Sequence, residues 1–287
     1  PPMIHNLSPL APFGAEVSGV SLQALDDDGL RALLRELYEN RFLVIRTGGM
    51  SRREFVSFAL RIGEPIGRNF DKEHPEIIPI TNVGVDTKAE AKGAAHWHTD
   101  QSFTEQRSSV TMLYSEQAPR VGGETRFANL ADAYDALDSS MKETIADLVV
   151  EHRHGVSISA RPGDHVPIPP KGWDQSYTVR HRLVRKHPVS GRKTLYAISG
   201  TPQGIVGMPL AEAAVLLEAL CQHSFRAPFI TEHHHAVDDL VMWDNPTTMH
   251  AATPIGAATG PEDTRVIRRI SLRGACPLFT EDRSDGT

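Results

Sequence analysis

Apolar residues recur along this chain at a helical period in some segments and in short, β-branched runs in others. Within Asp26–Asn40, leucines at the spacing of one helical face predict an amphipathic helix. Phe42–Ile45 follows as a short apolar run, which predicts a buried strand. Asn129–Leu137 predicts a short helix and Pro209–His223 a longer, amphipathic one.

Two Ser-x-x-Glu sequences have the form of a capping box, in which a serine and a glutamate satisfy free backbone groups at the start of a helix. Ser51–Glu54 predicts a helix that continues to about Arg61. Ser140–Glu143 predicts another that continues to about Val150.

The other apolar runs are short, rich in β-branched residues and separated by turn residues, as strands are. They are Glu76–Thr81, Ser109–Tyr114, Leu183–Lys186, Lys193–Ser199, Phe229–His235, Asp239–Trp243 and Arg265–Leu272. Pro188–Gly191 predicts a hairpin turn. We find no linker, so residues 1–287 are expected to form one mainly β domain with helical insertions (α+β), a sandwich or barrel with helices outside. Ala160–Ser176 is rich in proline and glycine, which predicts a lid loop near residues 155–180.

Composition narrows the function only broadly. The chain has 287 residues, and 30 Lys and Arg against 36 Asp and Glu give a net charge of −6, which disfavours a nucleic-acid partner. No apolar run is long enough to cross a bilayer, and no signal peptide is visible, although a start at Pro1 leaves a removed leader open. Cys221 and Cys276 alone make neither a disulfide framework nor a cysteine zinc site. A cytoplasmic protein without a membrane partner is expected.

The strongest local chemical signal is the sequence from His96 to Asp100. In an extended strand, His98 and Asp100 would project to the same face. One more imidazole would complete a 2-His-1-carboxylate triad, which binds iron(II) and leaves open positions on it. Taken alone, such a pair is more often a surface feature.

Three further signals lie downstream. His250 follows the buried strand and polar turn of Val241–Asn245, although a lone histidine is more often structural. Arg265, Ile267 and Arg269 would share one strand face, with Arg268 on the other. If Arg265 and Arg269 point inward, their burial requires an anionic partner such as a carboxylate. If the strand lies at an edge of the sheet, both could instead point to solvent. Gly122–Gly123 and Thr125 could form an anion-binding turn or an ordinary hairpin.

In this order the motifs resemble one known family. They are His98-Thr99-Asp100, Gly122-Gly123-Glu124-Thr125, His187-Pro188-Val189-Ser190-Gly191-Arg192, Trp243-Asp244-Asn245, His250 and the arginine group. The chain resembles the taurine dioxygenase/2,4-dichlorophenoxyacetate dioxygenase (TauD/TfdA) family of iron(II)/2-oxoglutarate-dependent oxygenases from about Leu10 to Gly274. The resemblance implies a double-stranded β-helix, the cupin-like jelly roll.

The resemblance also implies a role for each site residue. His98, Asp100 and His250 would ligate Fe(2+) and so be the catalytic residues. Thr125 and Arg265 would bind 2-oxoglutarate. Arg269 would bind an acidic group of the substrate. Apart from the resemblance, His96 and Ser199 are also expected at the substrate pocket. Residues near Arg68–Asp71 and Ser199–Thr201 are further candidates for the pocket lining.

The implied reaction uses O2 to convert 2-oxoglutarate to succinate and CO2 while a small organic molecule is oxidised. Because Asp100 is present, hydroxylation is favoured over halogenation, while desaturation, cyclisation in a natural-product pathway and dealkylation stay open. The expected substrate carries a carboxylate or sulfonate. Ascorbate is a candidate activator, and a homodimer or homotetramer is expected.

One departure and two alternatives remain. Arg265 follows His250 by fifteen residues, slightly more than is usual in the family, so Pro254–Asp263 is interpreted as a small insertion. Strand parity still favours Arg265 and Arg269 over Arg268. Parity also prevents His233–His235 from converging on one ion, so this run is interpreted as mostly structural or solvent-facing.

The alternatives to this function are a zinc hydrolase with the same triad and a non-catalytic jelly-roll binding module.

Overall fold

The computed structural model describes residues 6–67, 71–84, 95–155, 157–158 and 177–279. The helices are α1 (Asp27–Asn40), α2 (Arg52–Ile62), α3 (Leu130–Asp135), α4 (Ser139–Ile145) and α5 (Leu210–Ser224), with a 3-10 turn at Pro277–Phe279. The strands of the first half are β1 (Leu7–Pro9), β2 (Ala15–Val17), β3 (Phe42–Arg46), β4 (Glu64–Pro65), β5 (Ile78–Thr81), β6 (Ser108–Gln117), β7 (Thr125–Asn129) and β8 (Val149–His152). Those of the second half are β9 (Val179–Arg182), β10 (Val184–Lys186), β11 (Lys193–Leu195), β12 (Pro202–Ile205), β13 (Ile230–His233), β14 (Asp239–Asp244), β15 (Thr248–Ala252) and β16 (Val266–Arg273).

The strands form one large sheet and several small ones. The large sheet has the order β1-β2-β3-β14-β6-β16-β4, with β5 also paired to β16. The small sheets are β13-β7-β15, β12-β8-β9 and the hairpin β10-β11. From β13 to β16 the chain passes in turn between the β7 sheet and the large sheet. This alternation of mostly antiparallel strands is the double-stranded β-helix, and it confirms the predicted fold class.

Aromatic residues fill the space between the large sheet and the β7 sheet. Phe127 of β7 stacks on Phe42 of β3 with ring centroids 4.6 Å apart, and lies 5.4 Å from the ring of Trp243 on β14. All three are almost completely buried, so they hold the two sheets at a fixed separation. Helices α1 and α2 cover the outer face of the large sheet with a second apolar core.

The predicted starts of α1 and α2 are confirmed in atomic detail. The Asp26 side chain accepts a hydrogen bond of 2.8 Å from the backbone N–H of Gly29. At α2, the Ser51 N–H donates to the Glu54 carboxylate at 2.8 Å, and the Glu54 N–H donates to the Ser51 hydroxyl at 3.3 Å. Both capping arrangements satisfy backbone donors that the helix itself leaves free.

The second predicted capping box is wrong. Asp138, rather than Ser140, caps α4 by accepting from the Met141 N–H at 2.7 Å. The helix ends at Ile145, and Val149–His152 forms strand β8 between β9 and β12. Pairing on both edges therefore overrides the continuous helix expected through Val150.

The predicted hairpin is confirmed, because β10 and β11 pair with Val184 opposite Leu195. Its second strand ends at Leu195, however, and does not reach Ser199. Ala160–Ser176, the core of the predicted lid, lies outside the described residues, so the lid stays a prediction. No helix in the described part of the chain has the length and apolarity of a membrane span.

Candidate active site

His98 and His250 are direct partners through their backbones. The His98 N–H donates to the His250 carbonyl at 3.0 Å, and the His250 N–H donates to the His98 carbonyl at 2.9 Å. In an antiparallel pair of this kind the two side chains lie on the same face, and the imidazole centroids are 4.1 Å apart. Two histidines that are remote in the sequence thus become neighbours.

The extended strand expected to carry both His98 and Asp100 is wrong. His98 forms only an isolated bridge, and Asp100 lies in a turn. The carboxylate is held instead from behind, where its Oδ2 accepts from the Thr111 hydroxyl at 2.6 Å and lies 3.4 Å from the Ser271 hydroxyl. Thr111 and Ser271 are opposite each other on β6 and β16, so the large sheet positions Asp100.

The other carboxylate oxygen faces the histidines. Asp100 Oδ1 lies 3.8 Å from His98 Nε2 and 3.9 Å from His250 Nε2. One ligand atom from each of the three residues falls within 4.8 Å of the others. His98 Nδ1 lies 3.0 Å from the His96 carbonyl, which can only accept, so Nδ1 carries the proton and Nε2 presents its lone pair.

Burial sets the charge of this group. It lowers the pKa of His98 to about 4, helped by His250, and burial likewise lowers the pKa of His250 to about 4. Burial alone would raise the pKa of Asp100, but Arg269 and the two histidines outweigh it and hold that pKa well below its usual value. At neutral pH the group is two neutral imidazoles and one carboxylate, a donor set that fits iron(II).

Arg265 lies directly before β16, four residues from Arg269, and lacks a carboxylate partner among the described residues. Its side chain is buried, and its Nε has no hydrogen-bond partner in the described part of the chain. Burial lowers the pKa of Arg265 to about 10, against the opposing effect of Glu124. A buried guanidinium of this kind fits a carboxylate ligand, which can accept two parallel hydrogen bonds.

The Gly122–Gly123 turn makes room for this arginine. A Cβ at Gly123 would lie 3.1 Å from Arg265 Cδ and 3.4 Å from its Nη1, and the glycine φ is +72°. Both the close approach and the positive φ favour glycine here.

Thr125, the other candidate 2-oxoglutarate residue, is buried at the start of β7. Its hydroxyl oxygen lies 2.9 Å from Nε2 of His235, whose Nδ1 is 3.2 Å from the Ser115 hydroxyl. These contacts of His235 were not predicted from the sequence. The alternation of faces in the histidine run was the available signal, because His233 and His235 are buried while His234 is exposed.

Strand parity correctly separates the arginines. Ile267 belongs to the core between the sheets, and Arg269 Nη1 lies 3.8 Å from Asp100 Oδ1. Arg268 points to the other face, where its Nη2 lies 2.8 Å from the Glu116 carboxylate. The structure therefore brings Arg269, and not Arg268, to the triad.

Of the remaining pocket candidates, His96 and Ser199 lie in segments that pack near the triad. His96 is buried with its ring 4.9 Å from that of His98, and Ser199 is buried next to Gly200. A Cβ at Gly200 would lie 3.1 Å from that of His98, so this segment packs directly on the triad. Residues 68–70 lie outside the described residues. The Asp71 carboxylate accepts hydrogen bonds from the backbone N–H groups of Glu73 and His74, and its Oδ2 lies 3.3 Å from Nη1 of Arg52.

Comparison with known proteins identifies the family. A model described as "Taurine catabolism dioxygenase TauD, TfdA family" matches residues 6–271. The chain belongs to the TauD/TfdA family.

Two relatives and one solved structure illustrate this membership. The "Alpha-ketoglutarate-dependent 2,4-dichlorophenoxyacetate dioxygenase" of Cupriavidus pinatubonensis is 31% identical over 269 residues, which cover 85% of this chain and 90% of the relative. The "(S)-phenoxypropionate/alpha-ketoglutarate-dioxygenase" of Sphingobium herbicidovorans is 32% identical over 267 residues, which cover 87% and 89%. A taurine dioxygenase structure from Burkholderia xenovorans has a TM-score of 0.76 at 26% identity and covers 94% of this chain and 90% of that one.

This member of the TauD/TfdA family is thus a 2-oxoglutarate-dependent dioxygenase, which confirms the enzyme class expected from the sequence. Family membership disfavours both alternatives, the zinc hydrolase and the binding module.

The buried histidines predict how the stability of the metal-free TauD/TfdA-family protein depends on pH. Burial lowers the pKa of His98 and His250 to about 4 and that of His152 to about 3, whereas the unfolded chain protonates near 6.5. The unfolded state therefore binds more protons between these values, and each group lowers the free energy of unfolding by up to about 1.4 kcal/mol per pH unit below 6.5.

Denaturant unfolding of the metal-free protein at pH 7, 6, 5 and 4.5 measures this slope. His152→Leu should flatten it, because one of the buried imidazoles with a lowered pKa is removed. A free energy of unfolding that stays constant or rises as the pH falls would contradict the assignment of neutral buried imidazoles.

Proposed function

We propose that His98, Asp100 and His250 hold iron(II), and that Thr125 and Arg265 bind the distal carboxylate of 2-oxoglutarate. In this proposal the enzyme converts 2-oxoglutarate and O2 to succinate and CO2 while it oxidises a small acidic molecule. The observation that supports it most directly is the convergence of two imidazole nitrogens and a carboxylate oxygen within 4.8 Å, with Asp100 and His250 buried and His98 partly buried.

Two hydrogen bonds orient the proposed metal ligands in the absence of the ion. The His96 carbonyl keeps the proton of His98 on Nδ1, and Thr111 holds the far oxygen of Asp100. Such outer hydrogen bonds fix ligand orientation, so little reorganisation is needed on binding. When bound, iron(II) would supply the redox chemistry that couples decarboxylation of 2-oxoglutarate to the use of O2.

The separation of the two inner arginines supports separate roles for them. Arg265 directly precedes β16 and Arg269 lies four residues further along, which corresponds to roughly 13 Å of extended chain. Ile267 between them belongs to the apolar core. Arg265 would bind the co-substrate carboxylate at the far end, while Arg269 lies beside Asp100.

Arg269 is the residue that supports an acidic substrate. Its side chain is 20% exposed, whereas that of Asp100 is only 5% exposed, so the guanidinium is more accessible to a substrate than the carboxylate. A carboxylate or sulfonate bound there would bring a substrate carbon close to the metal. The names of the relatives fit this class, since phenoxyacetate and phenoxypropionate are carboxylates and taurine is a sulfonate.

Hydroxylation is favoured over halogenation because Asp100 occupies the carboxylate position of the triad. Desaturation or cyclisation would start from the same site, and product analysis distinguishes the three. His96 and Ser199 are proposed to line the substrate pocket. An ascorbate requirement, a dimer or tetramer, and a cytoplasmic location stay predictions.

The first test is succinate release from a panel of carboxylates and sulfonates, including phenoxyacetate and taurine. Succinate should form only when iron(II), 2-oxoglutarate and O2 are all present. Asp100→Ala and His250→Ala should lower the rate at least 100-fold, since each removes a proposed ligand. His234→Ala, an exposed histidine outside the triad, serves as the control. Turnover supported by zinc without O2 would instead favour the hydrolase.

The second test separates the arginines. Arg265→Ala should raise the dissociation constant of 2-oxoglutarate at least tenfold, because it removes a charged hydrogen-bond donor. Arg269→Ala should raise the KM of the acidic substrate by a similar factor and change 2-oxoglutarate binding little. Calorimetry on manganese-loaded protein and steady-state kinetics measure the two effects. Arg268→Ala is the matched control, and equal loss of both affinities in Arg269→Ala would overturn the assignment.

A further inference from the structure

The imidazole of His235 connects the two sheets beside the proposed 2-oxoglutarate pocket. Its Nδ1 lies 3.2 Å from the hydroxyl of Ser115 on β6, and its Nε2 lies 2.9 Å from the hydroxyl of Thr125 on β7. The ring is only 4% exposed. One side chain therefore contacts a strand of each sheet, and one of its two partners is a proposed co-substrate residue.

Neighbouring groups hold this ring in place and keep it neutral. The ring of His233 packs edge-on against it at 4.9 Å, and His233 Nε2 lies 3.2 Å from the Asp239 carboxylate. Burial, followed by the charges of His233 and Arg265, places the pKa of His235 well below its usual value. A neutral imidazole has one N–H donor and one acceptor nitrogen, so its two hydroxyl contacts run in opposite directions.

The direction of these two hydrogen bonds decides what Thr125 can offer to an anion. If Nε2 carries the proton, it donates to the Thr125 oxygen, Ser115 donates to Nδ1, and the Thr125 hydroxyl proton is left for another acceptor. If Nδ1 carries the proton, Thr125 must donate to Nε2 and presents only lone pairs. A carboxylate accepts hydrogen bonds and repels lone pairs, so only the first arrangement suits 2-oxoglutarate.

We propose that His235 is a positioning residue for 2-oxoglutarate, which donates from Nε2 to Thr125 and thereby directs the Thr125 hydroxyl proton toward the distal carboxylate beside Arg265. This inference rests on the proposed function of Thr125 and Arg265. In this arrangement Ser115 donates to Nδ1, and His235 itself touches neither the metal nor the co-substrate.

The test is a double-mutant cycle on the dissociation constant of 2-oxoglutarate, measured by calorimetry on the manganese-loaded protein. His235→Leu and Thr125→Val should each weaken binding about tenfold, in line with loss of one hydrogen bond to a charged group. The double variant should bind no more than twofold more weakly than Thr125→Val, because His235 acts through Thr125. His235→Gln, which keeps an N–H donor at this length, should bind within about threefold of the native chain.

Two further readouts separate positioning from a general structural role. 2-Oxopentanoate lacks the distal carboxylate, so its dissociation constant should agree within twofold between the native chain and His235→Leu. Nitrogen NMR of the native protein should show the Nε2–H tautomer at His235. His234→Leu, the exposed neighbour, is the matched control and should keep native 2-oxoglutarate affinity.

The contrary results distinguish a failure of the positioning role from a failure of the proposed pocket. Additive losses in the double variant, an equal loss for 2-oxopentanoate, or an Nδ1–H tautomer would overturn the positioning role. If His235→Leu does not fold, His235→Gln and the NMR of the native chain still decide. Unchanged 2-oxoglutarate binding in Arg265→Ala would instead contradict the proposed pocket itself.

Discussion

The reciprocal backbone hydrogen bonds between His98 and His250 are the constraint on which the site depends. They lock two imidazoles onto one face at a centroid distance of 4.1 Å. The same strand that carries His250 pairs with β7, where Phe127 is opposite His250 and Thr125 is opposite Ala252. A single register therefore sets the position of the proposed metal ligands relative to the proposed co-substrate residue, and a one-residue slip would turn these side chains to the wrong face.

The distribution of buried charge follows from the same geometry. Asp100 has the guanidinium of Arg269 nearby and the hydroxyl of Thr111 behind it, so its negative charge is compensated within the fold. Arg265 has no such carboxylate among the described residues, and its burial is unfavourable until an anion arrives. Buried groups that lower stability in the absence of a ligand are typical of binding sites. The apolar contact of Phe42 with Phe127 keeps the sheets apart at a fixed distance around them.

Local sequence signals predicted those parts of the structure that neighbouring residues determine. The caps of α1 and α2 lie within three residues of their partners, and the faces of Arg265 and Arg269 follow from strand alternation. Long-range pairing decided the rest. β8 replaced a predicted helix because two strands pair with it, and Asp100 is positioned by hydroxyls from β6 and β16 rather than by a strand of its own. Alternation in the run His233–His235 could indicate that His235 is buried, but its partners Ser115 and Thr125 lie on two other strands and are not visible in the local pattern.

The central claim is that three side chains from distant parts of the sequence bind one ferrous ion. Anomalous diffraction at the iron edge, from crystals grown anaerobically with iron(II), tests it directly. We expect one strong peak in contact with Nε2 of His98, Oδ1 of Asp100 and Nε2 of His250. Iron bound elsewhere, with these three atoms making no contact to it, would contradict the account.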